Sequence, residues 1–284
     1  AFSLTFILGS TAFAATCPDV DLMQAQLERA KSHLFKPILG CEAYVARRGR
    51  TLKDTSEDRS GYHLVLLAKN KIGYQNLCKL VSLGWMEGFY YRPRIDYEIL
   101  EKYSEGLIAS SACLGGEIHK KVERGNLQEA EEAILWYKEV FGDDYYIELQ
   151  RHKTDKPNAD YECFEKQQRQ NIELIKLAQK TNTKLVAPND VHFVEEEHGE
   201  AHERLICLST GKDLEDPTRM RYTKQEWLKT PDQMLQIFAD VPDALENTLE
   251  IANKVEFYDI IVSLKASDVK MMVEAYEKID TLIE

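Results

Sequence analysis

The chain has 284 residues, with 36 Lys and Arg against 48 Asp and Glu, and a formal charge of −12. A 44% hydrophobic content supplies a sizeable core, and ten Phe, fourteen Tyr and three Trp exclude intrinsic disorder. The acidic balance argues against a chain that grips nucleic acid through a basic face, unless it belongs to something larger.

Residues 1–16, AFSLTFILGSTAFAAT, are uncharged and mostly apolar or small. They have the look of a signal-peptide core before a small-residue cleavage site, but no Met or basic segment precedes them. The run is too short to span a bilayer as a helix, and a buried first strand and turn, or a truncated start, is the favoured reading. Pro18-Asp-Val-Asp21 offers paired carboxylates, which capping of the amphipathic segment 22–32 explains more simply. A strand is expected over 36–46, followed by a polar loop with Arg47, Arg48 and Arg50. A second strand is expected over 63–68 and a helix over 72–83. Further strands are expected over 106–113, 145–150 and 184–188. Helices are expected over 117–141, 161–181 and 195–208, the first opened by the turn at Gly115–Gly116. Residues 263–284 carry apolar side chains at helical spacing, and an amphipathic helix is expected there. Strands alternating with long helices predict an α/β fold with parallel pairing through right-handed crossovers, as a (β/α) barrel or an open doubly wound sheet.

In such barrels chemistry gathers at the C-terminal ends of strands. Here those ends carry Glu42, Cys113, Gln150 with His152, and Asp190 with His192. Asp190 and His192, two apart on an extended segment, point to one side and can converge on one ion. Carboxylate, imidazole and thiolate together suit Zn²⁺ or Mn²⁺ better than Mg²⁺ or Ca²⁺. Each residue also has a structural explanation. Asp190 can cap a helix, Cys113 can be a small buried apolar group, His192 a hydrogen-bonded core histidine, and Glu42 the partner of a nearby arginine. His152, among Arg151, Lys153 and Lys156, is expected in a solvated loop, and His198 and His202 as surface or packing residues. The basic clusters Arg47-Arg48-Gly-Arg50 and Arg92-Pro-Arg94 can touch phosphates, but solvated loops are the favoured reading. The six cysteines form no C-x-x-C pair and are too widely spaced for a disulfide scaffold, so reduced thiols in a cytoplasmic setting are expected.

The phrases KPILGCEAYVA (36–46), YHLVLLAKNKIGYQNLCKLVSLG (62–84), EGFYYRPRIDYEILEKYSEGLIASSACLGGEI (87–118), APNDVHFVEEEHGEAH (187–202) and ALENTLEIANKVEF (244–257) occur in this order. Together they resemble the polymerase-and-histidinol-phosphatase (PHP) domain at the start of bacterial DNA polymerase III alpha subunits. The resemblance implies an irregular (β/α)7-type barrel over 36–258, altered or missing at its first strands, between a divergent segment 1–35 and a divergent helix 259–284. It implies metal ligands at Glu42, His63, Cys113, Asp190 and His192, of which His63 opens its apolar run rather than closing it. The family's early His-x-His pair and Asp-His-Gly motif have no counterpart here, so the expected metal site is incomplete. The implied function is that of a structural and partner-contact module within a DNA-directed DNA polymerase. The alternative is a metal-dependent phosphoesterase or 3′–5′ exonuclease. Implied partners are the remaining alpha-subunit domains, which would use Mg²⁺ for polymerisation, the proofreading exonuclease subunit, and DNA through the whole subunit, with no membrane.

Overall fold

The structure, a computed structural model, describes residues 38–255. The signal-like run, the Pro18–Asp21 motif, the segment 22–32 and the helix expected over 263–284 lie outside the described residues.

Strand β1 (Gly40–Val45) alternates. Cys41, Ala43 and Val45 enter the main core, while Glu42 and Tyr44 take the other face. Strand β2 (Tyr62–Ala68) pairs antiparallel with β1, setting Glu42 opposite Val65 and Tyr44 opposite His63. Strand β3 (Arg94–Ile95) adds parallel to the other edge of β1. Strand β4 (Leu107–Ser110) runs antiparallel to β2. Strands β5 (Tyr145–Glu148) and β6 (Lys184–Val186) then follow in parallel. The order is β3-β1-β2-β4-β5-β6, and no hydrogen-bonded pairing among the described residues joins β3 to β6.

The expectation of uniform parallel pairing is therefore corrected at β2, which opposes both neighbours. The link from β1 to β2 holds only a single 3-10 turn, Ser56–Arg59, whereas a parallel return needs a longer crossover, usually a helix. This reversal explains why His63 begins its strand yet reaches the same end of the sheet as Glu42.

Helix α1 (Lys71–Met86) starts at Asn70, whose side chain accepts from the Gly73 amide. Short α2 (Tyr97–Lys102) is capped in the same way by Asp96. The helical stretch expected over 117–141 is two helices, α3 (Glu117–Glu123) and α4 (Leu127–Phe141), broken at Gly125 with φ +76°. Helices α5 (Glu162–Thr181) and α6 (Gly199–Thr210) match expected segments. Two more, α7 (Pro231–Ile237) and α8 (Pro242–Lys254), each begin on proline.

The larger core lies between the sheet and its helices, around Leu64, Leu66, Ala109, Ile134, Tyr137, Ile147 and Leu174. A smaller one covers the opposite face with Leu67, Ile108, Tyr146 and Val186, closed by Ile251 and Val255 at the end of α8. Along that second face, the strand alternation places Glu42, His63, Ser110 and Glu148 beyond the apolar floor.

Candidate metal centre

Glu42, His63 and Cys113 each present one donor atom within 4.8 Å of the others. His63 Nδ1 lies 2.6 Å from Glu42 Oε1 and 3.5 Å from Cys113 Sγ. Cys113 is carried in by a sharp turn after β4. Ala112 has φ +58°, in the left-handed region, and the Gly116 amide closes the turn on the Cys113 carbonyl. Two glycines make this possible. A Cβ on Gly115 would stand 3.0 Å from the His63 ring, and one on Gly116 would stand 2.0 Å from the Ser111 carbonyl oxygen. The Gly115 carbonyl in turn accepts from the His63 amide, so the loop that holds the thiol also fixes the backbone of the imidazole.

Asp190 and His192 stand outside this tight group among the described residues but act on it electrostatically. The charges of Asp190 and Glu42 bear on Cys113, and that of His192 bears on Glu42. Asp190 has φ +45°, a strained setting for a non-glycine residue. The Asp190–His192 bend is pinned from outside. Asn189 Nδ2 donates to the carbonyls of Gln225 and Trp227, and the His192 amide donates to Glu226. His192 Nδ1 donates to the Asp190 carbonyl at 2.6 Å, which fixes the orientation of the ring.

Charge is crowded at this mouth. Burial pushes the Cys113 thiol far above its ordinary value, and the carboxylates of Asp190 and Glu42 push it further. Burial raises Asp190 as well, with His192 opposing and Glu42 adding to the rise. Burial would also raise Glu42, but the His63 hydrogen bond and the charges of His63 and His192 outweigh it and hold the carboxyl low. Four anionic or potentially anionic groups, counting the buried Glu148, thus share a confined space.

One residue at the mouth escaped the sequence reading, and a second, His202, takes the packing role of the two it was given. Glu148 is buried at the end of β5, accepts from the Ser110 hydroxyl, and receives Gln150 Nε2 at 3.3 Å. Burial lifts its carboxyl to about 7, the Ser110 bond opposing and the charges of Asp190 and Glu42 reinforcing the rise. An acid inside the apolar run 145–149 was its only sequence signal. His202 is not a surface residue apart from the site, since its ring packs 5.5 Å from His192 and 4.9 Å from Tyr222. Nothing in the local sequence joins these three, which come from a loop, from α6 and from the segment after it.

His152 is also corrected. It is 2% exposed rather than part of a solvated loop. Its Nε2 donates to the Asn189 carbonyl, its Nδ1 accepts from Gln167, and its amide donates to Gln167 Oε1. It positions the backbone leading into Asp190.

Residues 8–152 match the family model described as the PHP domain. This chain belongs to the PHP domain family. Similar proteins are alpha subunits of DNA polymerase III. That of Borreliella burgdorferi is 42% identical over 235 residues, covering 82% of this chain and 20% of the relative. That of Campylobacter jejuni is 43% identical over 235 residues, covering 79% of this chain and 19% of the relative. That of Deinococcus radiodurans is 38% identical over 226 residues, covering 76% and 16%. The chain thus spans about a fifth of the length of the curated relatives it matches, and corresponds to their PHP-domain portion.

The PHP family implies bound metal, and the residues present fit one. Carboxylate, imidazole and thiol converge within 4.8 Å. Burial raises Cys113 and Asp190 and neighbouring carboxylates add to the rise, and a cation at this point would offset both by favouring the charged forms.

Proposed function

We propose that this PHP domain is a structural and partner-contact module of a replicative DNA polymerase alpha subunit, and that its barrel mouth holds one divalent transition metal. The names of its relatives support the setting. The whole subunit's activity would be template-directed nucleotidyl transfer with Mg²⁺, carried by domains other than this one. The convergence of Glu42, His63 and Cys113 is the observation that carries the metal proposal. Asp190 and His192 serve as further ligands from the facing segment. The thiolate favours Zn²⁺, with Mn²⁺ the second choice.

When bound, such a metal lowers the pKa of a coordinated water and polarises a phosphoryl oxygen. The chain's own groups do the rest. Glu42, His63 and Cys113 would hold the ion, and the Asp190 carbonyl orients the His192 ring. Ser110 and Gln150 fix the Glu148 carboxyl beneath the mouth.

A second reading, a metal-dependent phosphoesterase or 3′–5′ exonuclease, is favoured by the His192, His202 and Tyr222 rings beside the tight group. Metal analysis after reconstitution with Zn²⁺ or Mn²⁺, paired with a cleavage assay on a 3′ single-stranded end, tests both readings. Stoichiometric metal without cleavage supports the module. Cleavage that Asp190→Ala removes supports the phosphoesterase. Less than one equivalent of metal would falsify the metal centre itself.

The partners that follow from this proposal are the remaining alpha-subunit domains and the proofreading exonuclease subunit, with DNA met through the whole subunit. The cysteines among the described residues are all unpaired, which supports a reducing cytoplasmic setting. No helix among the described residues is long and apolar enough to cross a membrane.

A further inference from the structure

Helix α5 carries two buried glutamines on one face. Gln167 and Gln170 are three residues apart, and each is bound to a buried histidine. Gln167 holds His152, whose Nε2 donates to the carbonyl of Asn189, the residue before Asp190. Gln170 holds His119 of α3, with its Oε1 3.0 Å from the ring Nδ1. The backbone of Ala112, the residue before Cys113, acts on the His119 ring and favours its protonated form, the sign a carbonyl oxygen gives.

His119 is 2% exposed, and its Nε2 is buried without a hydrogen bond. Burial lowers its pKa to about 4, with Gln170 and the Ala112 backbone opposing, so near neutral pH the ring is neutral and carries one N–H. A proton on Nδ1, given to Gln170 Oε1, leaves the Nε2 lone pair buried with no donor. A half-turn of the Gln170 amide removes this conflict. Its NH2 group then donates to Nδ1, and the ring proton moves to Nε2, free for the Ala112 carbonyl. That is the pattern already present in the His152 pair.

We propose that His119 is a positioning residue for Cys113: clamped by Gln170, it holds the Ala112 carbonyl and keeps the thiol turn closed, as His152 with Gln167 does before Asp190. The turn needs such a hold. Ala112 sits at φ +58°, costly for a residue with a side chain, and the Gly116 amide ties only the far side of the turn, at the Cys113 carbonyl. One helix, α5, thereby fixes both the thiol arm and the carboxylate arm of the mouth. The inference rests on the metal-centre reading only for the purpose the thiol serves, since the hold itself needs no metal.

The test is iodoacetamide alkylation of the 284-residue chain in EDTA, read peptide by peptide by mass spectrometry. Exposed Cys78 is the reference for the reagent, and buried Cys41 on β1 reports general opening of the sheet. His119→Ala and the milder Gln170→Ala should each speed Cys113 alkylation about tenfold or more, with Cys41 unchanged, the scale of losing one buried hydrogen bond that resists local opening. His119→Gln, which places an amide where Nε2 stood, should restore protection. His119→Asn, which places it where Nδ1 stood, should not. Leu174→Ala, a core truncation on α5, should speed Cys113 no more than Cys41. An unchanged Cys113 rate in the Gln170 variant, an equal rise at Cys41 there, or full protection by His119→Asn would each overturn the proposal. Zinc content of the parent, measured without EDTA, reports on the metal centre alone, so failure of that reading and failure of this one are separate results.

Discussion

His63 Nδ1 lies 2.6 Å from Glu42 Oε1, and the two residues are diagonal neighbours on antiparallel strands rather than successive strand ends. Diagonal pairs on one face of an antiparallel ladder are within reach of long side chains. His63 Nδ1 faces both the Glu42 carboxylate and the Cys113 thiol, the three donors to which a metal here would bind. Glu42→Gln keeps the shape of the side chain but removes the charge. Zn²⁺ affinity, read by competition with a chromogenic chelator, should fall by more than about 100-fold, the upper range seen for losing a supporting residue rather than a ligand. An affinity within a few fold of the parent would remove Glu42 from the ligand set.

The loop that delivers Cys113 depends on Gly116, whose absent side chain leaves room for the Ser111 carbonyl. A Cβ there would stand 2.0 Å from that oxygen, so the turn has to open and carry the thiol away from His63. Gly116→Ala should cost at least about 2 kcal/mol in denaturant unfolding and abolish stoichiometric metal. Unchanged unfolding together with full metal content would show that the loop tolerates the methyl group.

Glu148 makes stability depend on pH. Its carboxyl is raised to about 7 in the folded chain, above its ordinary value of 4.5, so the folded state holds a proton that the unfolded state releases. Stability therefore falls as pH rises from near 4.5 to near 7 and levels off above that window. Glu148→Gln should remove this dependence. In EDTA, the variant should gain up to about 3 kcal/mol relative to the parent between pH 4 and pH 8, measured by chemical unfolding. A parallel pair of stability profiles would mean that Glu148 is not held protonated. Metal added at pH 8 should recover part of the parent's loss, because a nearby cation favours the carboxylate.

The segments that pack were the legible ones. The apolar runs at 62–68, 107–110 and 145–148 and the long helix at 162–181 follow directly from periodicity. Strand direction was not legible, because an apolar run reads the same both ways, and only the missing helix between β1 and β2 hints at the reversal. Cys113 lies just past the end of β4, as the strand-end reading expected, whereas Glu42 sits inside β1 and joins the group through its face of the sheet rather than through a strand end. His63 came from the family resemblance alone, since it begins its strand. His202 and Glu148 owe their places to tertiary packing, and His152 was misread because charged neighbours on a loop do not reveal which side chain turns inward.

His152 offers the sharpest separation between holding a metal and positioning a ligand. It is not one of the three converging donors among the described residues, yet it ties Gln167 on α5 to the Asn189 carbonyl, one residue before Asp190. His152→Ala strands a buried amide and a buried carbonyl and leaves a cavity, with an expected cost of about 2–4 kcal/mol. Because the Asp190 bend loses its anchor, metal affinity should also fall roughly tenfold, the scale of losing a supporting hydrogen bond. Asp190→Ala in the His152→Ala background should then cost less affinity than Asp190→Ala alone, since the two changes act through one carboxylate. Full additivity in that double-mutant cycle would confine His152 to the core and separate it from the metal centre.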